Sequence, residues 1–552
     1  MGQQTHQVHN QFDELVGYNL FDTDLALQEA VRAAGAGWAA PELSVHGAEV
    51  GSAQSFEEAA LANRHPPELQ AFDGRGRRID RVDFHPAWHA QMARLRGAGL
   101  VSNSFRGERA GRWVAHSAGM YLQGQVEAGS TCPSVMTWAA IPLLQREPQL
   151  WAELGEKLMS REYDARDVPI AKKCSIYIGM GMTEKQGGSD VRANTTTATP
   201  VGAGGRGRPY LIRGHKWFFS APMCDAHLVV AQIAGVGPSC FFVPRWRPDG
   251  SKNPVLIQRL KDKLGNQSNS SSEVEFDDAL GFLMGEEGRG IPTIIEMANY
   301  TRLACVVGSA AFIRQGLVQA LAYARQRKAF GRALAEQPLM RSVLADMVVE
   351  SEAALVLSLR LSQAFEHGDE PAERLWKRVI TPAAKFWICK RAVELSGEAM
   401  EVFGGNGYVE TGPMARLYRE TPVHSIWEGS GNVMCLDVMR AFAREPEGVF
   451  ALLAELGEAA GGDKLVSARI ERLRALLGGA PDLLEARGRQ VAQDLVLVTQ
   501  AALLRRQAPA FVADAFMATR LGNQGWGAVV GVIDPGSIDV QALLERALPD
   551  DA

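Results

Sequence analysis

Two changes of texture, near Ile176 and again near Gly290, set the plan of this chain. Before the first, apolar residues recur at three- and four-residue spacing, as in Leu25-Ala-Leu-Gln-Glu-Ala-Val-Arg-Ala-Ala34 and from Trp113 to Glu127. That is the spacing of helices with one buried face, and Pro86, Pro133 and Pro142 punctuate them. Between the breaks the chain turns rich in Gly, Thr and Ser around short runs: Leu228-Val-Val-Ala-Gln-Ile233, Cys240-Phe-Phe-Val243, Val255-Leu-Ile-Gln258, Val274-Glu-Phe276. These read as strands of a small barrel or sandwich. Beyond Gly290 helical spacing returns, with Ile313, Leu317, Leu321 and Ala324 on one face and long stretches at 338–366 and 372–402. A helical tail follows Ala443, with a Gly-rich break at 522–531. The expected fold is α+β and multidomain: a helical domain 1–178, a β domain 179–287, a helical bundle 288–440 and a helical extension 441–552.

A chain of 552 residues is too long for one core. Its 46% hydrophobic and 22% charged residues are those of a soluble globular protein. Apolar runs fall short of the roughly 20 residues that cross a bilayer, and Met1-Gly-Gln-Gln-Thr-His-Gln7 lacks the basic and apolar parts of a signal peptide. No membrane partner and a cytoplasmic location are therefore expected. Seven scattered cysteines with no Cys-x-x-Cys pair argue against a disulfide framework and a zinc site, so no metal is expected. A net charge of -5 gives no global attraction to nucleic acid; such a partner needs a local patch.

Chemistry concentrates in Ser425-Ile-Trp-Glu-Gly-Ser-Gly-Asn432. Glu428 lies between Ile426-Trp427 and Gly429-Ser430-Gly431, and a helical run follows. Small residues let the backbone approach a ligand, and Ser430 is placed to cap the helix. A carboxylate beside an indole, shielded from water, gains the raised pKa that a base for a weakly acidic C–H requires. Alone, the segment fits equally a carboxylate that decorates a helix start. Two further segments offer ligand-binding chemistry. Gly179–Asp190 carries the hydroxyls of Thr183 and Ser189 beside Gly187-Gly188, and Gly214–Ser220 supplies an aromatic wall and the Ser220 hydroxyl.

The ordered set TE…GGSD (183–190), GHKWFFS (214–220), YARQRKAFG (323–331), FGGNGY (403–408), RLYRE (416–420) and WEGS (427–430) resembles the acyl-CoA dehydrogenase family of flavoproteins. The resemblance implies that family's helix–β–helix fold and a tightly bound FAD between the β domain and the second helical domain. It implies that Met182, Thr183, Gly188 and Ser189 contact flavin and pyrophosphate, that Trp217 packs near the ring, and that Ser220 lies in the same wall. It places Arg327 and Phe330 on the FAD of a neighbouring subunit and Gly404 and Gly405 against that dinucleotide. Ile426 and Trp427 flank the base, while Ser430 and Asn432 close over the cofactor. A guanidinium suits a diphosphate, and glycines admit its oxygens. Sharing FAD across subunits implies a homo-oligomer, a tetramer. Glu428 falls at the catalytic-base position, removing a proton next to a thioester carbonyl while a hydride leaves for the flavin. Three departures weaken inference about a partner dehydrogenase: Lys185-Gln186 in place of a proline-containing turn, Glu401 before the Phe-Gly-Gly loop, and a displaced Gln337 followed by Pro338.

GMGMTEKQGGSDV, LKDKLGNQSN, TPAAKFWICKR and RLYRETPVHSIWEGSGNVMCLDVMR, with THQVHNQ and GAGWAAP near the start, resemble a narrower branch: flavoproteins of the bacterial adaptive response to DNA alkylation. That branch implies the extra helical tail, binding of double-stranded DNA, and weak acyl-CoA (isovaleryl-type) dehydrogenase activity. From 441 to 552 there are 11 basic and 15 acidic residues, the wrong sign for a basic arm. Between Lys464 and Arg506, however, eight basic residues face four acidic ones. Arg469 and Arg472 are candidate phosphate contacts on this stripe, and the resemblance adds Arg440 and Arg520. Backbone binding without sequence preference is expected. The alternative is a metabolic dehydrogenase for short branched acyl-CoA whose tail only enlarges an oligomer interface.

Overall fold

The computed structural model describes residues 5–479, 481–522, 529–531 and 535–549; positions 523–528 of the Gly-rich break lie outside them. Seven helices come first, α1 (Leu25–Ala33), α2 (Ala40–Gly51), α3 (Ala53–Arg64), α4 (Pro86–Gly97), α5 (Arg112–Gly124), α6 (Thr131–Gln145) and α7 (Pro148–Met159), with a hairpin β1 (Glu68–Phe72) and β2 (Arg78–Asp83) after α3. The strands β3 (Ile178–Gly181), β4 (Thr197–Pro200), β5 (Pro209–Phe219), β6 (Ala226–Ile233), β7 (Gly237–Pro244), β8 (Val255–Leu260) and β9 (Ser272–Met284) follow. The helical half contains α8 (Gly290–Gln326), α9 (Pro338–Glu366), α10 (Pro371–Val402), α11 (Pro413–His424) and α12 (Gly431–Arg444). The tail adds α13 (Pro446–Ala459), α14 (Lys464–Leu477), α15 (Pro481–Ala486), α16 (Gly488–Gln507), α17 (Ala510–Phe516) and α18 (Val540–Ala547). Proline opens α4, α7, α9, α10, α11 and α13, where its missing N–H has no helical partner to lose.

The strands form a barrel. In the order β3-β6-β4-β5-β9-β7 the ring closes on β6, because β7 also pairs antiparallel with β6 from Ala226↔Pro244 to Ile233↔Gly237, while β3 lies beside β6 and β8 beside β9. Tyr210, Ile212, Phe219, Val229, Ala231, Phe241, Val243, Val274 and Phe276 fill the interior. Alternation along β5 sends Phe219 inward and leaves Phe218 exposed.

Compactness does not follow the four consecutive segments expected from texture. One unit joins residues 1–53, 109–126 and 305–552; the other joins 54–108 and 127–304. Periodicity marks the apolar face of a helix but not the surface that covers it, so α5 and α6, neighbours in the chain, join different units. The tail is continuous with the bundle: α16 packs on α9, α10 and α12 as well as on the tail's own α13, α14 and α17. One expectation, that apolar runs fall short of a bilayer span, needs correction. By length and composition α8 is apolar enough to cross a bilayer, but its most apolar window is 89% buried within the protein. Its hydrophobicity belongs to the core.

The tail is fixed to the bundle by charge. Helix α9 buries Asp346, Glu350 and Glu352, and a carboxylate in the interior needs a partner. Arg520 pairs with Asp346 and donates to Glu350 at 2.9 Å, Arg391 reaches Glu350 at 3.1 Å, and Arg546 meets Glu352 at 2.9 Å. Burial opposes ionisation of Glu350, yet Arg391 and Arg520 hold its carboxyl below the usual range. Arg520, expected on DNA, is therefore corrected to a structural residue: its guanidinium is fully buried. The sequence shows the arginine but not the acids some 170 residues away that enclose it. Arg520→Ala takes the arginine from buried Asp346 and leaves Glu350 with Arg391 alone; it is expected to cost about 3–5 kcal/mol of stability, read from a shift in the denaturation midpoint. Arg440→Ala, on an exposed side chain, is expected to stay within about 0.5 kcal/mol of the parent.

Candidate functional site

In the barrel unit the expected ligands gather on the loop after β3 and at the end of β5. The Trp217 amide donates to the Thr183 carbonyl at 2.9 Å, tying the two segments together. The Met182 carbonyl accepts from Asn194 Nδ2 at 2.7 Å. A Cβ at Gly188 would stand 2.5 Å from Thr183 Oγ1, so the chain passes that hydroxyl only as glycine. Thr183 and Ser220 are half-buried and Ser189 is exposed. The half-buried Trp217 indole carries the Lys261 ammonium 3.8 Å from its ring centroid, with Lys185 and Arg259 each at 5.8 Å. Such cations favour the electron-rich face of an indole.

Glu184 organises this loop. Its fully buried carboxylate meets Lys216 Nζ at 2.8 Å and accepts the backbone amides of Thr195 at 2.7 Å and Thr196 at 3.1 Å. Burial disfavours its charge, but Lys216 and these donors win and hold it well below the ordinary carboxylate range.

In the helical unit α11 ends at His424 and α12 begins at Gly431, and the turn between them carries the proposed base. Glu428 adopts φ +58° and Gly429 +106°. The left-handed region costs a side-chain-bearing residue about 1–2 kcal/mol, so packing must hold it there. Lys385 does so: its buried ammonium donates to the carbonyls of His424 at 3.0 Å and Gly429 at 2.8 Å, clamping both ends of the turn. His424 accepts or donates at Ser309 Oγ (3.2 Å) and stacks on Trp427 with ring centroids 5.4 Å apart. Burial, reinforced by Lys385, pushes the His424 imidazole down to about 3, so it stays neutral. Glu428 is half-buried and Ile426 exposed. Ser430 occupies the N-cap position of α12, but its hydroxyl makes no capping bond.

The remaining expected residues lie at the rim of the same unit. Lys328-Ala329 and Arg332-Ala333 form a two-residue hairpin whose turn residues, Phe330 and Gly331, have φ +51° and +83°. The turn presents Phe330 entirely to solvent. Arg327 donates to the Asn10 carbonyl, and the displaced Gln337 braces the hairpin through Ala329 O at 3.0 Å. Gly404 has φ +60°, and no atom lies within 4 Å of a Cβ built at Gly404 or Gly405, leaving that backbone bare. Asn432 is exposed and accepts from Arg489 Nε at 2.9 Å.

The arginine stripe is altered in the same way as Arg520, though less completely. Arg469 and Arg472 flank the buried Asp494 at 2.8 and 3.0 Å, so much of their charge is neutralised within the tail. Arg440 is exposed, with no ion-pair partner among the described residues. Arg444, Arg487 and Arg489 are exposed nearby: Gly488, between the latter two, packs 3.6 Å from Cys435 and Met439 measured from its built Cβ. Sequence reasoning missed Glu184, Lys385 and Arg489. Only Lys385 left a signal, a lone cation inside the apolar helical run of TPAAKFWIC.

Comparison with known proteins bears on these motifs. Residues 10–165 match the adaptive response protein AidB N-terminal domain, residues 179–279 the acyl-CoA dehydrogenase middle domain, and residues 288–443 the acyl-CoA dehydrogenase C-terminal domain. The chain is 46% identical to the putative acyl-CoA dehydrogenase AidB of Escherichia coli K12 over 95% of both chains. The chain belongs to the acyl-CoA dehydrogenase family, in its AidB-type branch. Caenorhabditis elegans ACDH-11 in complex with C11-CoA is similar in fold, at TM-score 0.84 and 24% identity, over 99% of this chain and 93% of that one. A Bacillus anthracis acyl-CoA dehydrogenase complexed with FAD aligns at TM-score 0.64 and 19% identity, over 79% of this chain and 78% of that one. The match to the acyl-CoA dehydrogenase C-terminal domain ends at residue 443, so α13 to α18 lie beyond the matched domains.

The Glu184 result predicts a pH dependence with a definite sign. A carboxyl depressed in the folded state contributes stability above its unfolded pKa of about 4.3 and loses it as pH falls below. Glu184→Gln is expected to destabilise at pH 7 and to converge on the parent in denaturation midpoints measured at progressively lower pH.

Proposed function

We propose that the protein is an FAD-dependent acyl-CoA dehydrogenase-like flavoprotein that binds double-stranded DNA without strong sequence preference and limits alkylation damage, retaining weak dehydrogenase activity toward short branched acyl-CoA thioesters. The observation that carries the flavoprotein part is Glu428, held at positive φ by the Lys385 clamp. A strained, braced carboxylate is what a positioned base needs.

The residues present fit FAD. On the barrel unit, the Thr183 hydroxyl, the glycine passage at Gly188 and the Trp217 indole suit a planar ring with attached phosphates. On the helical unit, the bare Gly404-Gly405 backbone and Arg327 suit a diphosphate. The exposed Phe330 supports contact with a neighbouring subunit's FAD in a homotetramer, since an aromatic ring in water is stabilised when a partner covers it. FAD, when bound, supplies the hydride acceptor. Glu428 takes the proton from the carbon beside the thioester carbonyl, while neutral His424 and the Lys385 clamp keep its turn in place.

The DNA part rests on the AidB-type relationship and on Arg440, Arg444 and Arg487, exposed around the junction of α12 and α16. Backbone phosphates suit such a patch. The metabolic alternative retains support from the Glu428 turn, which serves both readings.

Anaerobic mixing with isovaleryl-CoA is expected to bleach the flavin slowly, and Glu428→Gln to abolish the bleaching; bleaching that survives the substitution removes Glu428 from the reaction. Arg440→Ala combined with Arg444→Ala is expected to weaken duplex binding about 10-fold at low salt and to lower the salt slope by about 2. Unchanged affinity and slope, together with rapid bleaching by the parent, would favour the metabolic reading.

A further inference from the structure

The C-terminal tail reaches the first turn of α12, just after the turn of the proposed base, through Arg489. Arg489 lies in the first turn of α16, one residue after Gly488, whose built Cβ lies 3.6 Å from both Cys435 and Met439 of α12. Its guanidinium lies 5.8 Å from the Phe386 ring centroid, and the Lys390 ammonium lies 5.9 Å from the same centroid. From there Nε donates to Asn432 Oδ1 at 2.9 Å. Asn432 is the second residue of α12, four positions after Glu428. A Cβ at Gly431 would come within 2.9 Å of Lys390 Cε, so the start of α12 passes directly beside Lys390.

The chemistry of the contact is asymmetric. A guanidinium has donors only, so it selects the amide oxygen and fixes which way the Asn432 side chain is turned. The Nδ2 group, for which the described residues offer no partner, then presents two N–H donors away from Arg489. Such donors suit acceptor oxygens, those of a phosphate or a pyrimidine carbonyl, rather than another cation. Without Arg489 nothing distinguishes the two orientations of the amide from this side, and its donors lose their fixed direction.

We propose that Arg489 is a positioning residue for the cofactor site: by orienting Asn432 it turns the amide donors of the first turn of α12 toward bound FAD, making the C-terminal extension a working part of flavin binding. This inference rests on the flavoprotein reading above. It assigns the tail a role independent of DNA.

The test uses the full-length protein, with FAD affinity read by quenching of flavin fluorescence and the ring environment by visible circular dichroism. Arg489→Ala is expected to weaken FAD binding about 10-fold, the size of one lost hydrogen bond to a charged ligand, and to change the flavin dichroism. Asn432→Asp keeps an acceptor for Arg489 but has no N–H to offer; it is expected to give the same loss. The double variant is expected to fall no further than the weaker single, since both remove one interaction. Arg489→Lys, which restores a donor, is expected to recover part of the affinity. Arg505→Ala, whose partners Asp514 and Asp463 lie within the tail, is the control and is expected to bind FAD as the parent does. Parental affinity and dichroism in Arg489→Ala, or in Asn432→Asp, would overturn the proposal. Should Arg489→Ala fail to fold, judged by far-ultraviolet dichroism, Asn432→Asp and Arg489→Lys still decide it. A parent that takes up no FAD would instead defeat the flavoprotein reading itself.

Discussion

The arrangement around Glu428 depends on one buried ammonium. Lys385 donates to carbonyls at both ends of the 424–429 turn, and those two bonds oppose the conformational cost of a glutamate in the left-handed region. A buried lysine is itself expensive unless its donors are met. The turn therefore needs the lysine and the lysine needs the turn. His424, stacked on Trp427 and kept neutral by burial, fills the space beneath without adding a competing charge. The same logic recurs in the barrel unit, where Glu184 and Lys216 neutralise each other while the carboxylate gathers the amides of the following loop. Each half of the proposed chemistry is thus braced by a buried ion or ion pair that never meets substrate.

Charge also decides what the C-terminal extension is. Arg520 answers Asp346 on α9 and shares Glu350 with Arg391 of the bundle, Arg546 answers Glu352, and Arg489 answers an amide just after the base turn. An extension of this kind is not a detachable arm. Its removal would leave buried acids on α9 and uncover the apolar face on which α16 packs, so a truncated chain reports on lost stability as much as on lost DNA contacts.

Much of the architecture was legible in the sequence because it is local. Strand runs such as Leu228–Ile233 became β6, helical spacing at 338–366 became α9, and the prolines that open helices lie where their missing amide is harmless. The candidate site was legible through resemblance: Glu428, Trp217 and the glycine motifs stand in turns and strand ends suited to a ligand. What was not legible is pairing across the chain. Nothing near Arg520 announces Asp346, nothing near Arg469 or Arg472 announces Asp494, and the split of α5 and α6 between units depends on which surface covers each helix. Ser430 shows the limit at short range too. It stands where a cap belongs, yet its hydroxyl does not cap.

The closing pair of the barrel, β6 with β7, has a bearing on how the chain survives its own synthesis. An open sheet of this size would offer a row of unanswered amides to any other extended polypeptide. Pairing β7 back onto β6 consumes that row around the ring, so once it has shut, the template offered to a second chain shrinks to β3 and β8, each paired with one strand among the described residues. What stays open is short: four residues in one strand and six in the other.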